Sequence, residues 1–462
     1  MTALLQQPLA LTRDPLPEEP LTDLGNARRL VAAFGDRLRH VGAWHRWMAW
    51  DGRVWSEDTT GEAHRCAKAV GRALQHEALQ ADGDQRKAYR RAADRAESAA
   101  GVAAMLTLAA TEPEVAIRHE QLDADPWLLN VANGVLDLRD GQVSGHDPTR
   151  LLTRITAAAY DPAAAREAFD EFLARIQPDP AMRAFLARLL GHALLGKVVE
   201  QVMPVLHGAG ANGKSVLVET VLSALGDYGA TGDPALLTDG GNPHPTGVAD
   251  LFGRRLVAVH ETDAGRRLAE GTVKRLTGET RVKARRMRED FWEFEASHTL
   301  LMVTNHRPVV RGDDEGIWRR LRLVPFDVVI PEHERDTRLG DRLLLEQAGV
   351  LNWLVDGYTA WTRDGLAVPD HVREATSAYR AESDHLGQWL NERCLTGPHY
   401  WAPARDLYSS WTSWARAEGI EPGTQNAFGR ALTDRGYDRS KSGTVRWTGI
   451  ALAAPDDPTT EG

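Results

Sequence analysis

The chain has 462 residues, room for roughly two to four domains, and its 42% apolar and 26% charged fractions are those of a soluble globular protein. A formal net charge of −10 argues against nucleic-acid binding by overall charge, so any such contact must come from a local basic patch. No apolar run reaches membrane-spanning length, Met1 to Pro20 lacks the basic start of a signal peptide, and Cys66 and Cys394 make no disulfide or metal framework; a cytoplasmic protein with no membrane partner is expected.

Residues 1–24, with Pro8, Pro15, Pro17 and Pro20, predict a disordered tail. Asn26 to Leu38 reads as a helix burying Leu30, Val31, Phe34 and Leu38. Asp51-Gly52 then predicts a hairpin among Trp44, Trp47, Trp50 and Trp55, aromatics that suit either a small core or a base-stacking platform. Residues 62–120 read as helices, with Arg86 to Arg95 on a solvated face and Ala99 to Ala110 in the core. Short strands and turns follow over 126–160, with turn points at Asn133-Gly134 and Asp140-Gly141, and Asp161-Pro162 marks a boundary. Ala163 to Leu195 is helical, with Phe169, Phe172, Leu173, Phe185, Leu186 and Leu189 facing inward.

The apolar run from Val202 leads into Gly208, Ala209, Gly210, Ala211, Asn212, Gly213, Lys214 and Ser215, which fits G-x-x-x-x-G-K-[ST]. Glycines let backbone N–H groups close around phosphate oxygens, and the following helix adds partial positive charge at its N-terminus. Lys214 can reach the β/γ-phosphates and Ser215 can ligate Mg²⁺. Val218, Val221, Leu222 and Leu225 form the apolar face of that helix, and Gly226 follows its end. Pro204 conflicts with the pattern, because proline is disfavoured in a central strand.

A second apolar run, Leu256 to Val259, ends in His260, Glu261, Thr262 and Asp263. Acids at that end of a parallel strand sit where open α/β sheets hold ligands. Glu261 suits metal holding and activation of water, with Asp263 assisting; alone, an acid there is more often a helix cap or a surface residue, and the upstream Gly-rich loop reverses that preference. Arg281, Lys283, Arg285, Arg286 and Arg288, followed by Phe291, Trp292 and Phe294, read as a basic two-stranded ribbon that holds a phosphate backbone, or else as a solvated hairpin. A third strand, Thr299 to Thr304, ends in Asn305, an amide that can orient water or touch a γ-phosphate. Arg319 and Arg320 precede the strand Leu321 to Ile330; either can act as a finger on a neighbour's phosphate, or pair locally with Asp313 and Asp314. Residues 341–392 are helical. Beyond Pro398 and Pro403, two helices, Tyr408 to Trp414 and Gln425 to Arg435, and a hairpin carrying Arg439, Lys441 and Arg446 give a winged-helix pattern, which reads duplex DNA or docks protein.

Taken in order, Gly208–Ser215, the strand ending at Glu261, Leu276-Thr277-Gly278 with its basic hairpin, Val303-Thr304-Asn305 and Asp314 to Arg320 resemble the superfamily 3 helicases, in particular the C-terminal half of the phage/plasmid and poxvirus-type primase-helicases. The resemblance implies an α/β fold with an AAA+-like P-loop ATPase core (161–375), an α-rich N-terminal helicase-associated domain (25–160) and a C-terminal winged-helix domain (385–455). It implies ATP and Mg²⁺, the metal held by Ser215 and Glu261, with Lys214, Glu261, Asp263, Asn305 and Arg319 as the catalytic set. Arg319 is the best finger position, and Lys283, Arg285, Arg286 and Arg288 match the hairpin that tracks single-stranded DNA.

The implied protein is an ATP-dependent replicative DNA helicase of a phage, plasmid or integrated element, a hexamer translocating 3′ to 5′ on single-stranded or forked DNA, with a separate primase or polymerase as partner. Family members that prime carry a further domain upstream; about 25 residues precede the helicase-associated region here, so nucleotide polymerisation is not expected of this chain. His260 also departs from the family, where small residues are common. Two other readings stand beside this one: a nucleotide-gated origin-binding or packaging-interference ring that does not unwind, and a small-molecule P-loop kinase, against which the hairpin and the Arg319 motif weigh.

Overall fold

The computed structural model describes residues 18–239, 245–261, 263, 265–286, 290–310, 314–442 and 444–453. Chain order begins with the helix Asp23–Phe34, which reaches into the stretch expected as tail. Thr22 caps it, its hydroxyl accepting from the Gly25 N–H at 3.1 Å, and the helix ends before Leu38, which starts a strand instead. With Glu62–Gln80, Gly83–Ala96 and Ala99–Ala109 it forms a helical cluster around Leu30, Phe34, Cys66, Leu74 and Met105. A four-stranded sheet lies beside the cluster, in the order 55–57, 46–50, 38–41, 116–117. Its tight turn is the Asp51-Gly52 one: Gly52 has φ 101°, and Asp51 Oδ1 accepts from the N–H groups of Arg53 and Val54, both at 2.8 Å.

The central sheet has five parallel strands in the order Leu321–Pro325, Met203–His207, Thr299–Thr304, Leu256–Glu261, Gly229–Gly232. Parallel strands are covered on both faces, which is why the three inner ones are near-continuous apolar runs, unlike the edge strand Gly229–Gly232. One face packs Leu206, Ala258, Leu301 and Val303 against the helix Lys214–Leu225 and against Phe169, Phe185 and Leu354. The other packs Val205, Val257, Val259 and Met302 against Leu236, Leu276, Ile317 and Tyr379.

Pro204 is accommodated by its register. Met203 N–H donates to the Arg320 carbonyl, so residue 204 faces the opposite neighbour, Thr299–Thr304. Pairing with that neighbour begins only at Val205, and the missing N–H falls where no ladder bond is made.

Residues 126–158 pack directly against the central sheet. Leu129, Val131 and Leu136 lie in the same core as the central sheet. The buried Arg255 guanidinium donates to the Leu128 carbonyl at 2.6 Å and lies 4.9 Å over the Tyr228 ring, whose hydroxyl accepts from Asn130 N–H at 3.1 Å. These tertiary links carry no short-range sequence signal.

After the helices Gln347–Asp364 and Asp370–Ser383 comes a C-terminal unit with its own core of Trp389, Leu407, Trp411, Trp414, Phe428 and Trp447. It contains the helices His385–Arg393, Ala404–Ala417 and Gln425–Asp434 and an antiparallel sheet in the order Cys394–Pro403, Thr444–Leu452, Asp438–Ser442. Pro398 lies in the irregularity of an edge strand, between Thr396 and Trp401, where proline is tolerated. No helix among the described residues is long and apolar enough to cross a membrane.

Candidate active site

The Gly-rich loop joins the strand Met203–His207 to the helix Lys214–Leu225. Its outer glycines are required by space. A Cβ on Gly208 would lie 2.2 Å from the Phe326 carbonyl oxygen, and one on Gly213, at φ 81°, would lie 2.4 Å from Ile176 Cγ2. Gly210 faces open space. Buried Asn212 braces the loop, its Nδ2 donating to the carbonyls of Phe326, at 3.1 Å, and Ala209. Ala211 holds a left-handed backbone at φ 60°, a strain of about 1 kcal/mol for a residue with a Cβ. Its carbonyl accepts from Ile330 N–H at 2.8 Å.

Lys214 is 3% exposed, and its ammonium donates to Gly208 O at 2.6 Å, Asn212 Oδ1 at 3.0 Å and Asn305 Oδ1 at 3.2 Å. All three acceptors are neutral, and among the described residues no carboxylate pairs with it. Burial lowers its pKa. Among the described residues, the backbone N–H groups of Ala209 to Gly213 also have no hydrogen-bond acceptor. Backbone donors with no protein acceptor, beside a buried cation that has no carboxylate partner among the described residues, fit an anion of several oxygens, such as a polyphosphate. Ser215 follows Lys214 and is exposed.

Glu261 ends its strand at the same level. It pairs with Thr304, and Thr304 pairs with His207, so three strands finish side by side. Glu261 is 6% exposed, and its Oε1 accepts from the Asp263 N–H at 2.9 Å. Asp263 differs: it is exposed, and Arg266 Nη2 lies 2.8 Å from its Oδ2. Lys214, Glu261 and Asn305 thus gather at the C-terminal edge of the sheet.

Arg319 is not among them. It precedes the strand Leu321–Pro325, whose Leu321 pairs with Met203, and it sits at the opposite edge of the sheet. The four residue steps from Met203 to His207 alone span about 13 Å. Arg319 is exposed, and among the described residues its side chain has no hydrogen bond or ion pair. Arg320 is buried and donates to Gly316 O at 2.6 Å, Thr277 Oγ1 at 3.1 Å and Gln201 Oε1 at 3.4 Å. Of the two, only Arg319 is available to a partner.

The basic ribbon exists as strands Arg281–Ala284 and Trp292–Glu295, but it is less basic than its cations alone indicate. Arg281 pairs with Glu295 and Lys283 with Glu293, while Val282, Ala284, Trp292 and Phe294 are buried. Nor is it a free arm. Trp292 packs edge-on against Trp44 and Phe252 at 5.4 and 5.2 Å, and Arg286 lies over Trp44 at 5.0 Å, 3.6 Å from Glu57. Trp44 and Trp55 are core residues. What remains outward is Phe291, 53% exposed, with Lys283 and Arg285 over its ring at 5.1 and 4.8 Å. Arg288, like Asp313, lies outside the described residues. The motif spacing marks Asn212 only as part of the loop's span; its bracing role, and the proximity of His207 and Arg307 to the loop, follow from contacts that spacing does not reveal. Burial, reinforced by Arg307 and Lys214, lowers the His207 pKa.

Residues 27–178 match a family described as D5 N terminal like, and residues 206–320 match a family of unknown function (DUF5906). The chain is 27% identical over 322 residues to "Putative helicase L207/L206" of Acanthamoeba polyphaga mimivirus, covering 64% of this chain and 34% of that protein. It is 24% identical over 310 residues to "Putative helicase 022R" of Frog virus 3 (isolate Goorha), covering 61% and 31%. With "Putative primase C962R" of African swine fever virus (isolate Tick/Malawi/Lil 20-1/1983) the identity is 26% over 307 residues, covering 60% and 32%. The chain spans about a third of the length of these relatives. Among solved structures, the apo NrS-1 C terminal region (305-718) aligns with a TM-score of 0.48 at 11% identity, covering 90% of this chain and 96% of that one. The matched relatives are thus viral proteins named as putative helicases and primases, and the matched N-terminal family is a D5-like one.

Proposed function

We propose that the chain is the ATP-driven motor of a replicative DNA helicase, of the superfamily 3 type, with a P-loop core of AAA+ form and a C-terminal winged helix. The observation that carries the reading is the meeting of Lys214, without a counter-charge among the described residues, and Asn305 at the sheet edge where Glu261 also ends. In this reading the free N–H groups of residues 209–213 and Lys214 bind the β/γ-phosphates of ATP. Ser215 and Glu261 hold Mg²⁺, which when bound neutralises phosphate charge. Glu261 orients and deprotonates the attacking water, Asp263 assists, and Asn305 positions the terminal phosphate. Arg319, on the far edge of its own sheet, serves the site of a neighbouring copy, which requires an assembly such as the ring of this family. Phe291, Lys283 and Arg285 contact single-stranded DNA by stacking and charge.

The test is ATP hydrolysis and forked-duplex unwinding measured alongside mass in solution, with Lys214→Ala as control. DNA-stimulated turnover that appears only with assembly and vanishes in the variant is the expected result. Full-rate hydrolysis by a monomer overturns the shared site, and tight duplex binding with negligible turnover replaces the motor by a non-unwinding ring.

A further inference from the structure

Arg307 stands two residues beyond Asn305, on the loop leaving the strand Thr299–Thr304, and has no role in the chemistry above. Its guanidinium lies 5.9 Å over the Tyr379 ring and pairs with Glu382; both partners belong to the helix Asp370–Ser383. The Tyr379 hydroxyl donates to the Pro308 carbonyl and pins that helix to the same loop. Arg307 also leaves its strand beside the phosphate loop: Thr304, three residues before it, pairs with His207, and Asn305, two residues before it, accepts from the Lys214 ammonium at 3.2 Å. Two features mark the Arg307–Glu382 pair as exchangeable. Glu382 is 63% exposed, and exposed ion pairs are weak. A planar guanidinium matches phosphate oxygens, and a terminal phosphate carries more charge than a carboxylate.

We propose that Arg307 exchanges Glu382 for the terminal phosphate of a triphosphate held in the Gly-rich loop, and so distinguishes triphosphate from diphosphate. This rests on the nucleotide reading of that loop. Diphosphate leaves Arg307 on Glu382; triphosphate draws it away. The released carboxylate lies two residues before Asp384, whose side chain accepts from Gly387 N–H at 2.8 Å to cap His385–Arg393 and also pairs with Arg435. The exchange therefore happens at the joint where the core hands over to the C-terminal unit.

The test is titration of the full chain, in Mg²⁺, with ADP and with a non-hydrolysable ATP analogue. Arg307→Ala is expected to weaken the analogue about 10- to 100-fold while leaving ADP affinity unchanged, the loss expected for a hydrogen-bonded charge. The retained ADP affinity also reports that the variant folds. Glu382→Gln, a conservative change at an exposed position, is expected to tighten the analogue several-fold and leave ADP alone. Equal losses for both nucleotides, or an unchanged analogue-to-ADP ratio in both variants, overturns the exchange while leaving the nucleotide site standing. An unsubstituted chain that binds neither nucleotide overturns the site and the exchange together.

Discussion

The ammonium of Lys214 stands 3.2 Å from the amide oxygen of Asn305, so the phosphate loop and the neighbouring strand end share one hydrogen bond. Each residue partly positions the other. Lys214→Ala removes the cation and is expected to leave only a small residual rate of hydrolysis, measurable at high enzyme concentration. Asn305→Ala is expected to lower kcat about 10²- to 10³-fold, the scale of losing one preorganised polar group, with a smaller change in KM. Because the two act as a unit, the double variant should be little worse than Lys214→Ala alone, and ATPase kinetics on the set of variants measure it. Independent, multiplying losses would separate the two residues.

Arg319 and Arg320 are adjacent yet predict opposite outcomes. Arg319→Ala is expected to reduce turnover about 10³-fold or more, as for fingers that act across an interface, with nucleotide affinity and thermal stability unchanged. Mixing it with Lys214→Ala should restore part of the activity, because a mixed ring contains some sites with both groups intact. Arg320→Ala leaves Thr277, Gly316 and Gln201 without their buried donor and is expected to cost about 2 to 3 kcal/mol of stability, read from denaturant unfolding.

The parts of the site that are local in sequence are the legible ones. A buried parallel strand must be apolar, so the runs ending at His207, Glu261 and Asn305 announce both the sheet and its ligand edge. The choice between Arg319 and Arg320 is not legible, because it is made by Thr277, 43 residues away. The tempering of the basic ribbon is open to reading, since Glu293 and Glu295 stand in the sequence, but only the strand register sets them opposite Lys283 and Arg281. The junction of residues 126–158 with the core depends on Arg255 reaching Leu128 across 127 positions, a contact with no local periodicity behind it.

The outward end of the ribbon separates stacking from charge. Phe291→Ala is expected to weaken single-stranded DNA binding by about 1 to 3 kcal/mol with little change in salt dependence. Replacing Lys283 and Arg285 by Gln should instead reduce the slope of log K against log salt by about 1.4, the share of two phosphate contacts on a single strand. Fluorescence anisotropy across a salt series measures both. A charge-removing variant that keeps the full slope would exclude these cations from the DNA interface.

Acid sensitivity should concentrate at His298, which is buried and whose ring, among the described residues, faces no carboxylate that would favour its protonated form, only the Leu276 backbone. Burial pushes its pKa down from 6.5 to about 4. Above pH 6.5 the imidazole is neutral in both folded and unfolded chains, and stability does not depend on it. As pH falls from 6.5 toward 4, the unfolded chain takes up a proton that the folded core refuses, and stability is lost, by about 3 kcal/mol over the whole interval. His298→Leu is expected to flatten this acid limb, although His192, also buried with a lowered pKa, keeps its own share in both proteins. Urea midpoints at pH 7 and pH 5 decide the matter: the loss between them should be clearly smaller in the variant, and an equal loss would remove His298 as its source.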